Sequence, residues 1–280
     1  MRNARPEYVV EFHAIQRKWA ERIKREPQFD RRQALYRQAY DEMFVFTRNH
    51  ISAAKCEFGF NPVFLWGPHA AMRNRDVLEM GAGLGSAALL AASWARRVCA
   101  IEASAEARQI IRDRAAAAGI TNLEVREDDI LLGRIPNESI DVIYSNDFIE
   151  HLTEEDGMIF FRSAWRVLCP GGTIFTLTPS KLSGPHDSTQ WIGDGAGPAE
   201  GFHLREYSYA DLCGVLRAAG FDKVRARAPF APRFPFRPPY VPAWIVLAIE
   251  RRVKNWESNF VWKCGVDMVN VRARKPYRAA

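Results

Sequence analysis

Cysteine is scarce in this sequence, long apolar runs are missing, and neither sign of charge dominates throughout. The five cysteines among 280 residues, Cys56, Cys99, Cys169, Cys213 and Cys264, stand singly and far apart. An odd number with no Cys-x-x-Cys pair gives neither a disulfide framework nor a zinc ribbon. The longest strongly apolar run, residues 241–249, stops at Glu250, Arg251 and Arg252, far short of the ~20 residues that span a bilayer. The opening MRNARPEYVVEFHAIQRKW is charged throughout and holds no signal-peptide core. A soluble, cytoplasmic protein is expected. What is present excludes global disorder: 48% of residues are hydrophobic, 12% aromatic, and eight are tryptophan, enough for a sizeable core.

The net charge of +6 hides a division. Residues 1–75 hold 14 basic and 8 acidic residues, 76–220 hold 12 and 21, and 221–280 hold 13 and 4. An acidic middle therefore lies between two basic flanks. A basic chain suggests a nucleic-acid partner, and this distribution weakens that reading.

The first 55 residues read as helix. Tyr8, Phe12, Ile15, Trp19 and Ile23 share one face of an amphipathic helix. Pro27 ends it, and Asp30 is placed to cap a second helix carrying Leu35, Ala39, Met43 and Phe46. Residues 58–69, with Phe58, Phe60, Phe64 and Trp66, form a Pro/Gly-punctuated connector. From residue 76 the pattern changes to strands at 76–80, 98–102, 122–126, 140–145 and 173–178, separated by helical stretches at 84–95, 104–118 and 153–168. Alternating strands and helices mean βαβ units and a mainly parallel sheet. A helix at 208–219 and strands at 223–228 and 260–274 follow. Two loop-rich insertions are expected, 180–204 and 229–258, the first rich in glycine and the second in proline. Residues 1–75 are then a helical extension that covers a substrate, and 76–280 the main domain.

The chemistry concentrates in VLEMGAGLGSAALLAASWARRVCAIEAS, residues 77–104. A strand ends in Glu79, glycines follow at 81, 83 and 85, and a helix starts. Glycines let a ligand lie against the backbone, and the helix start presents free N–H groups. Glu102 ends the next strand, where an acidic side chain can accept both hydroxyls of a ribose. A dinucleotide fingerprint needs Gly or Ala at position 86, but Ser86 stands there. Glu79 is ill placed for a pyrophosphate and suits an ammonium. Ribose plus amino acid without phosphate describes S-adenosyl-L-methionine.

With these motifs, residues 76–180 resemble the class I S-adenosylmethionine-dependent methyltransferases, particularly their small-molecule group. Glu79-Met-Gly-Ala-Gly-Leu-Gly resembles the glycine-rich first motif and Glu102 the ribose-binding acid. Asp128-Asp129-Ile130 resembles the pair flanking adenine. Asp141-Val-Ile-Tyr-Ser-Asn-Asp-Phe-Ile-Glu-His-Leu resembles the fourth-strand motif, and Val167-Leu-Cys-Pro-Gly-Gly-Thr the turn into strand five. Gly201-Phe-His-Leu-Arg-Glu-Tyr-Ser and Ala219-Gly-Phe resemble the stretch before the last strands. The resemblance implies a Rossmann-like α/β fold: a seven-stranded, mostly parallel sheet with its last strand antiparallel and helices on both faces. It implies a cofactor site from Glu79, Gly81, Ala82, Gly83, Gly85, Glu102, Ala103, Asp129, Ile130, Asn146 and Asp147.

An oxygen or nitrogen acceptor must lose a proton around transfer, and His151, His186 and His203 are the candidate bases. His151 follows strand four, while the other two sit on a loop long enough to suggest function. A metal held by His186, Asp187 and His203 lacks tight ligand spacing, and none is expected. Trp191, Phe202 and Tyr207 can line a pocket or anchor that loop, and Arg205 reads as a surface residue. The expected acceptor is a small molecule, with O-methylation ahead of N or C. Against a nucleic-acid acceptor, Ser145-Asn-Asp-Phe148 stands where base methyltransferases carry Asn/Asp-Pro-Pro-aromatic. A non-catalytic cofactor-binding subunit is the third alternative, opposed by the intact motifs. The stretch 229–256 mixes prolines, aromatics and a basic end, compatible with an interfacial membrane patch or with a packed lid, which is favoured.

Overall fold

The computed structural model describes residues 7–50, 65–192, 197–227, 239–257 and 267–277. Strands β1 (Asp76–Met80), β2 (Arg97–Ile101), β3 (Leu123–Arg126), β4 (Ile140–Asn146), β5 (Leu168–Pro179), β6 (Asp222–Arg227), β7 (Tyr240–Pro242) and β8 (Met268–Arg274) form one sheet in the order β3-β2-β1-β4-β5-β8-β6-β7. Strands β1 to β5 pair in parallel, and β8 runs antiparallel to both β5 and β6. The expected Rossmann-like sheet is therefore present, with β7 added as an eighth, three-residue edge strand. Pro242 is tolerated there because an edge strand leaves its nitrogen side unpaired.

Side chains alternate between two buried layers. Val77, Val98, Ala100, Val142 and Tyr144 enter one, and Leu78, Met80, Cys99, Ile101 and Ile143 the other. Both faces are covered, which is why these strands read as nearly continuous apolar runs. Helix α3 (Trp66–Met72) and the alanine-rich α4 (Ser86–Ala92) pack on the first layer, where Ala87, Ala88, Ala91 and Ala92 are buried. Helix α6 (Glu154–Val167) and helix α7 (Tyr209–Ala218) pack on the second. Caps define the helices as the sequence indicates. Ser104 accepts from the Ala107 amide to open α5 (Ala105–Ala117), Thr153 accepts from Asp156 to open α6, and Ser208 with Asp211 forms a full capping box.

Three expectations shift. Strand β5 begins at Leu168 rather than at 173, so Pro170-Gly171-Gly172 lies inside the strand at an irregularity in its register with β4. Gly171 has φ +80° there, and its N–H donates to the Lys275 carbonyl at 3.0 Å. Helix α2 (Phe29–His50) starts before Asp30, which sits in the first turn instead of at the cap. Helix α1 (Glu7–Arg25) buries Trp19 and Ile23 as expected, but also His13, Gln16 and Ala20, and leaves Tyr8 40% exposed. Its buried face is rotated because it packs against the long loop as well as against α2. His13 Nδ1–H donates to Ser188 Oγ at 2.8 Å, and Ser188 Oγ–H donates to Gln16 Oε1 at 2.5 Å.

A buried ion pair pins the N-terminal helices to the sheet domain. Arg32 of α2 reaches both oxygens of Asp156 in α6, at 3.0 and 2.8 Å, and its Nη1 donates to the carbonyls of Glu26 and Pro27. Tyr36 O–H donates to the same carboxylate at 2.8 Å and accepts from the Thr153 amide. At the opposite edge, α8 (Ala243–Val253) buries Val246 and Val253 and clips onto α7 through Glu250, whose two oxygens accept the amides of Tyr209 and Ala210. Among the described residues, no helix is long and apolar enough to cross a membrane. Phe58, Phe60 and Phe64, most of the Pro-rich stretch, and Cys56 and Cys264 lie outside the described residues.

Candidate functional site

The carboxyl ends of β1, β2, β3 and β4 open onto one edge, where ligands bind in sheets of this kind. After β1, the amides of Gly81 and Ala82 both donate to the Ile101 carbonyl at 3.0 Å, tying the glycine loop to β2. Gly83 has φ +55°, and a Cβ built on it would meet nothing within 4 Å, so its backbone faces open space. Gly85 differs: with φ +79° it caps α4, and a Cβ there would lie 2.8 Å from Ile111. It is a packing glycine and does not line the cavities described next.

Two hollows flank the glycine loop. The larger, of about 1200 Å³, is bordered by Glu79, Gly81, Ala82, Gly83, Asn146, Asp147 and the three candidate histidines. The smaller, of about 130 Å³, is bordered by Glu102, Ala103, Asp129 and Ile130. Gly81, Gly83, Asp147, Tyr40 and Phe44 border both. Asp129 keeps one oxygen on the Leu131 amide at 2.8 Å, whereas Glu127 turns away and pairs with Arg108 at 2.9 Å. This separates the run of acids that sequence alone leaves together.

Glu79 and Glu102 are both buried, at 5% and 4% exposure. Glu102 is held by backbone: Oε2 accepts from Gly83 N–H at 2.7 Å and Oε1 from Ser104 N–H at 2.9 Å. Glu79 Oε2 has no hydrogen-bond partner among the described residues. Burial, aided by the like charge of Glu102, pushes its carboxyl up to about 8. A buried carboxylate oxygen without a partner calls for a cation. An open backbone cradle beside it, and a second acid held at the next strand end, fit S-adenosyl-L-methionine: Glu79 for the ammonium, Gly81–Gly83 for the close approach, Glu102 for the ribose, and Asp129 and Ile130 for adenine.

The lining of the large cavity is also rich in imidazole. His151 Nδ1–H donates to the Phe202 carbonyl at 3.0 Å, which fixes the tautomer and leaves Nε2 as the acceptor. Burial pushes this imidazole down to about 3, so it stays neutral. His203 Nδ1–H donates to Glu206 at 3.0 Å, and its ring meets that of His151 edge-on at 5.0 Å. The carboxylates of Glu206 and Glu150 raise the His203 value against the opposing effect of burial. His186 also borders the cavity, but Nε2–H is directed at the Ser180 carbonyl, 3.1 Å away, with Ser183 Oγ at 3.0 Å. It serves the loop more than the cavity. Asp187 accepts the amides of Thr189, Gly201 and His203. Its oxygens are used up by backbone, so His186, Asp187 and His203 do not form a ligand set.

Sequence reasoning missed several neighbours. Gln33, Tyr36, Arg37, Tyr40 and Phe44 of α2 line the small hollow. They form the stripe beside Leu35, Ala39 and Met43, and their i, i+3, i+4, i+7 spacing was the available signal. Glu150, fully buried, was also missed. Phe202 lines the large cavity, as does Trp191 at 43% exposure, while Tyr207 is core. Arg205 pairs with Glu154 and lies over Tyr207. The described part of 229–258 borders neither hollow, because β7 and α8 attach at the β6 edge; it is not a lid over the site.

Residues 77–172 match the family model of a methyltransferase domain. A protein of Mycolicibacterium smegmatis, described as a probable S-adenosylmethionine-dependent methyltransferase, is 32% identical over 149 residues, which is 53% of this chain and 52% of that protein. The chain spans about half the length of the curated relatives it matches. Among solved structures, a SAM-dependent methyltransferase from Aquifex aeolicus superposes with a TM-score of 0.52 at 17% identity, covering 77% of this chain and 89% of its own. The [4+2]-cyclase SpnF superposes equally well, at 0.52 and 19% identity over 77% and 80%. At such identities the likeness is one of fold, and a fold that includes a cyclase does not fix a reaction.

Proposed function

We propose that the chain carries a class I S-adenosylmethionine-dependent methyltransferase domain, a reading supported by the family match over residues 77–172 and by the 32%-identical relative, and that the whole protein moves a methyl group from that cofactor to an oxygen of a small-molecule acceptor. The observation that carries this reading is the unpartnered, buried Glu79 Oε2 beside the open Gly83 backbone, on the same cavity as the imidazoles of His151 and His203. The cofactor, when bound, supplies an activated methyl on a sulfonium. The protein's part is to hold both partners in line and to receive a proton.

Each role falls to named residues. Glu79 would hold the ammonium, Glu102 the ribose hydroxyls, and Asp129 with Ile130 the adenine. Helices α1 and α2 act as a cap: Phe12, Phe44 and Phe46 turn an apolar wall to the cavity. That wall suits an acceptor with a large apolar body better than a polynucleotide. Its hydroxyl would lie beside His151, His203 and Asp147, which border the cavity and can accept a lost proton. A cytoplasmic setting goes with the unpaired thiols of Cys99 and Cys213.

The test is turnover. Incubated with S-adenosylmethionine and a panel of hydroxylated aromatics and lipids, the protein should release S-adenosylhomocysteine only with an acceptor present, and the product should be a methyl ether. An N- or C-methylated product would overturn the choice of oxygen. Absence of any acceptor-dependent release across the panel would count for the non-catalytic alternative.

A further inference from the structure

We propose that Glu150, His151 and His203 bind a divalent first-row transition-metal ion whose open coordination positions face the large cavity and take the acceptor's oxygen. The role of that oxygen rests on the methyl-transfer reading above; metal binding itself does not.

The cluster brings the donors of a metal site close together. One donor atom from each of the three residues lies within 4.8 Å of the other two. A pair of ~2.1 Å metal–nitrogen bonds spans at most about 4.2 Å, so small side-chain rotations close the set on an ion. Both imidazoles already have Nδ1–H committed, to the Phe202 carbonyl and to Glu206. This leaves Nε2 of each as the nitrogen an ion would take, and a carbonyl or carboxylate behind the ring is the usual support of a ligating histidine. Glu150 is fully buried; Oε2 accepts from Thr178 Oγ1–H at 2.9 Å, while Oε1 has no partner among the described residues. A hydrogen-bonded carboxylate with one oxygen left bare is what a ligating glutamate looks like before its ion arrives.

The donor set also sets the class of ion. Two imidazole nitrogens and one carboxylate oxygen suit zinc, iron, cobalt or nickel over magnesium or calcium, which prefer oxygen. Three protein ligands leave positions vacant for an exogenous oxygen. His151 and His203 border the large cavity, so those positions open where an acceptor would reach. Asp147 borders the same cavity.

Cobalt(II) is the probe, since its visible absorption reports bound ligands. The chain of 280 residues, stripped with a chelator and free of cofactor, should take up one equivalent of Co²⁺ with visible bands that Zn²⁺ abolishes. E150Q and H203A should each weaken Co²⁺ binding at least 100-fold, with thermal melts establishing that they fold. E206Q, which removes the negative charge behind His203 while leaving an amide oxygen for the His203 and His186 N–H groups, should weaken it about 10-fold or more and covers the case where E150Q does not fold. S-adenosylhomocysteine binding, measured by calorimetry without metal, should change less than threefold in all three variants. Absence of Co²⁺ uptake at 1 mM, or uptake unchanged in H203A and E206Q, overturns the inference. Metal uptake without S-adenosylhomocysteine binding would uphold the site and overturn the methyl-transfer reading instead.

Discussion

Glu79 is the residue on which pH acts most legibly. Its folded-state value of about 8 lies above the ordinary 4.5, so the folded protein keeps a proton that the unfolded chain has released. Stability of the free protein should therefore fall as pH rises from about 4.5 to about 8, and Glu79→Gln should remove that part of the slope in urea melts at successive pH values. Binding has the opposite sense. An ammonium needs the carboxylate, so S-adenosylhomocysteine affinity should rise about tenfold per pH unit toward pH 8 in the wild type and stay flat in Glu79→Gln. A second residue-scale expectation concerns Gly85, where a Cβ meets Ile111 at a positive φ. Gly85→Ala should cost about 1–3 kcal/mol of stability, read by denaturant midpoint. Glu79, Gly83 and Glu102 were legible in the sequence because strand, glycine loop and helix follow one another locally. Glu150 was not. Its meaning depends on Thr178 and His203, which chain topology brings to it from far along the sequence.

Among the elements, α2 ties the extension to the sheet. Arg32 and Asp156 are both buried, and removing one leaves the other charge unpaired. Arg32→Met should cost about 3–5 kcal/mol in urea unfolding. It should also weaken S-adenosylhomocysteine binding, since the next turns of α2 carry Tyr40 and Phe44 over the glycine loop. An unchanged midpoint would mean that α2 is held by apolar packing alone. The helices were readable from periodicity and caps, but their facing was not. Helix α1 turns His13 and Gln16 inward because Ser188 arrives from the long loop, a contact between residues far apart in sequence. For the same reason β7 escaped notice: three residues acquire strand character only by pairing with β6.

At the scale of the whole molecule, the acidic middle segment supplies β1 to β5 and holds Glu79, Glu102 and Asp129, and the basic N-terminal flank borders the same two hollows through α1 and α2. The basic C-terminal flank does not join it. Its described part supplies β6, β7, β8 and α8 and borders neither hollow, so charge along the sequence was a poor guide to what covers the site. Ligand should couple the cap to the sheet. With S-adenosylhomocysteine bound, amide hydrogen exchange should slow in α2 and the glycine loop and stay unchanged in α8. Protection confined to α8 would contradict the placement of the site. The central claim is that the open Gly83 backbone and the buried Glu79 carboxylate receive the cofactor, and calorimetric titration of S-adenosylhomocysteine tests it most directly. The wild type should bind one equivalent per chain with micromolar affinity, and Gly83→Asp, which fills the cradle with a second carboxylate, should bind none. No heat at millimolar ligand, or undiminished binding by Gly83→Asp, would contradict the account.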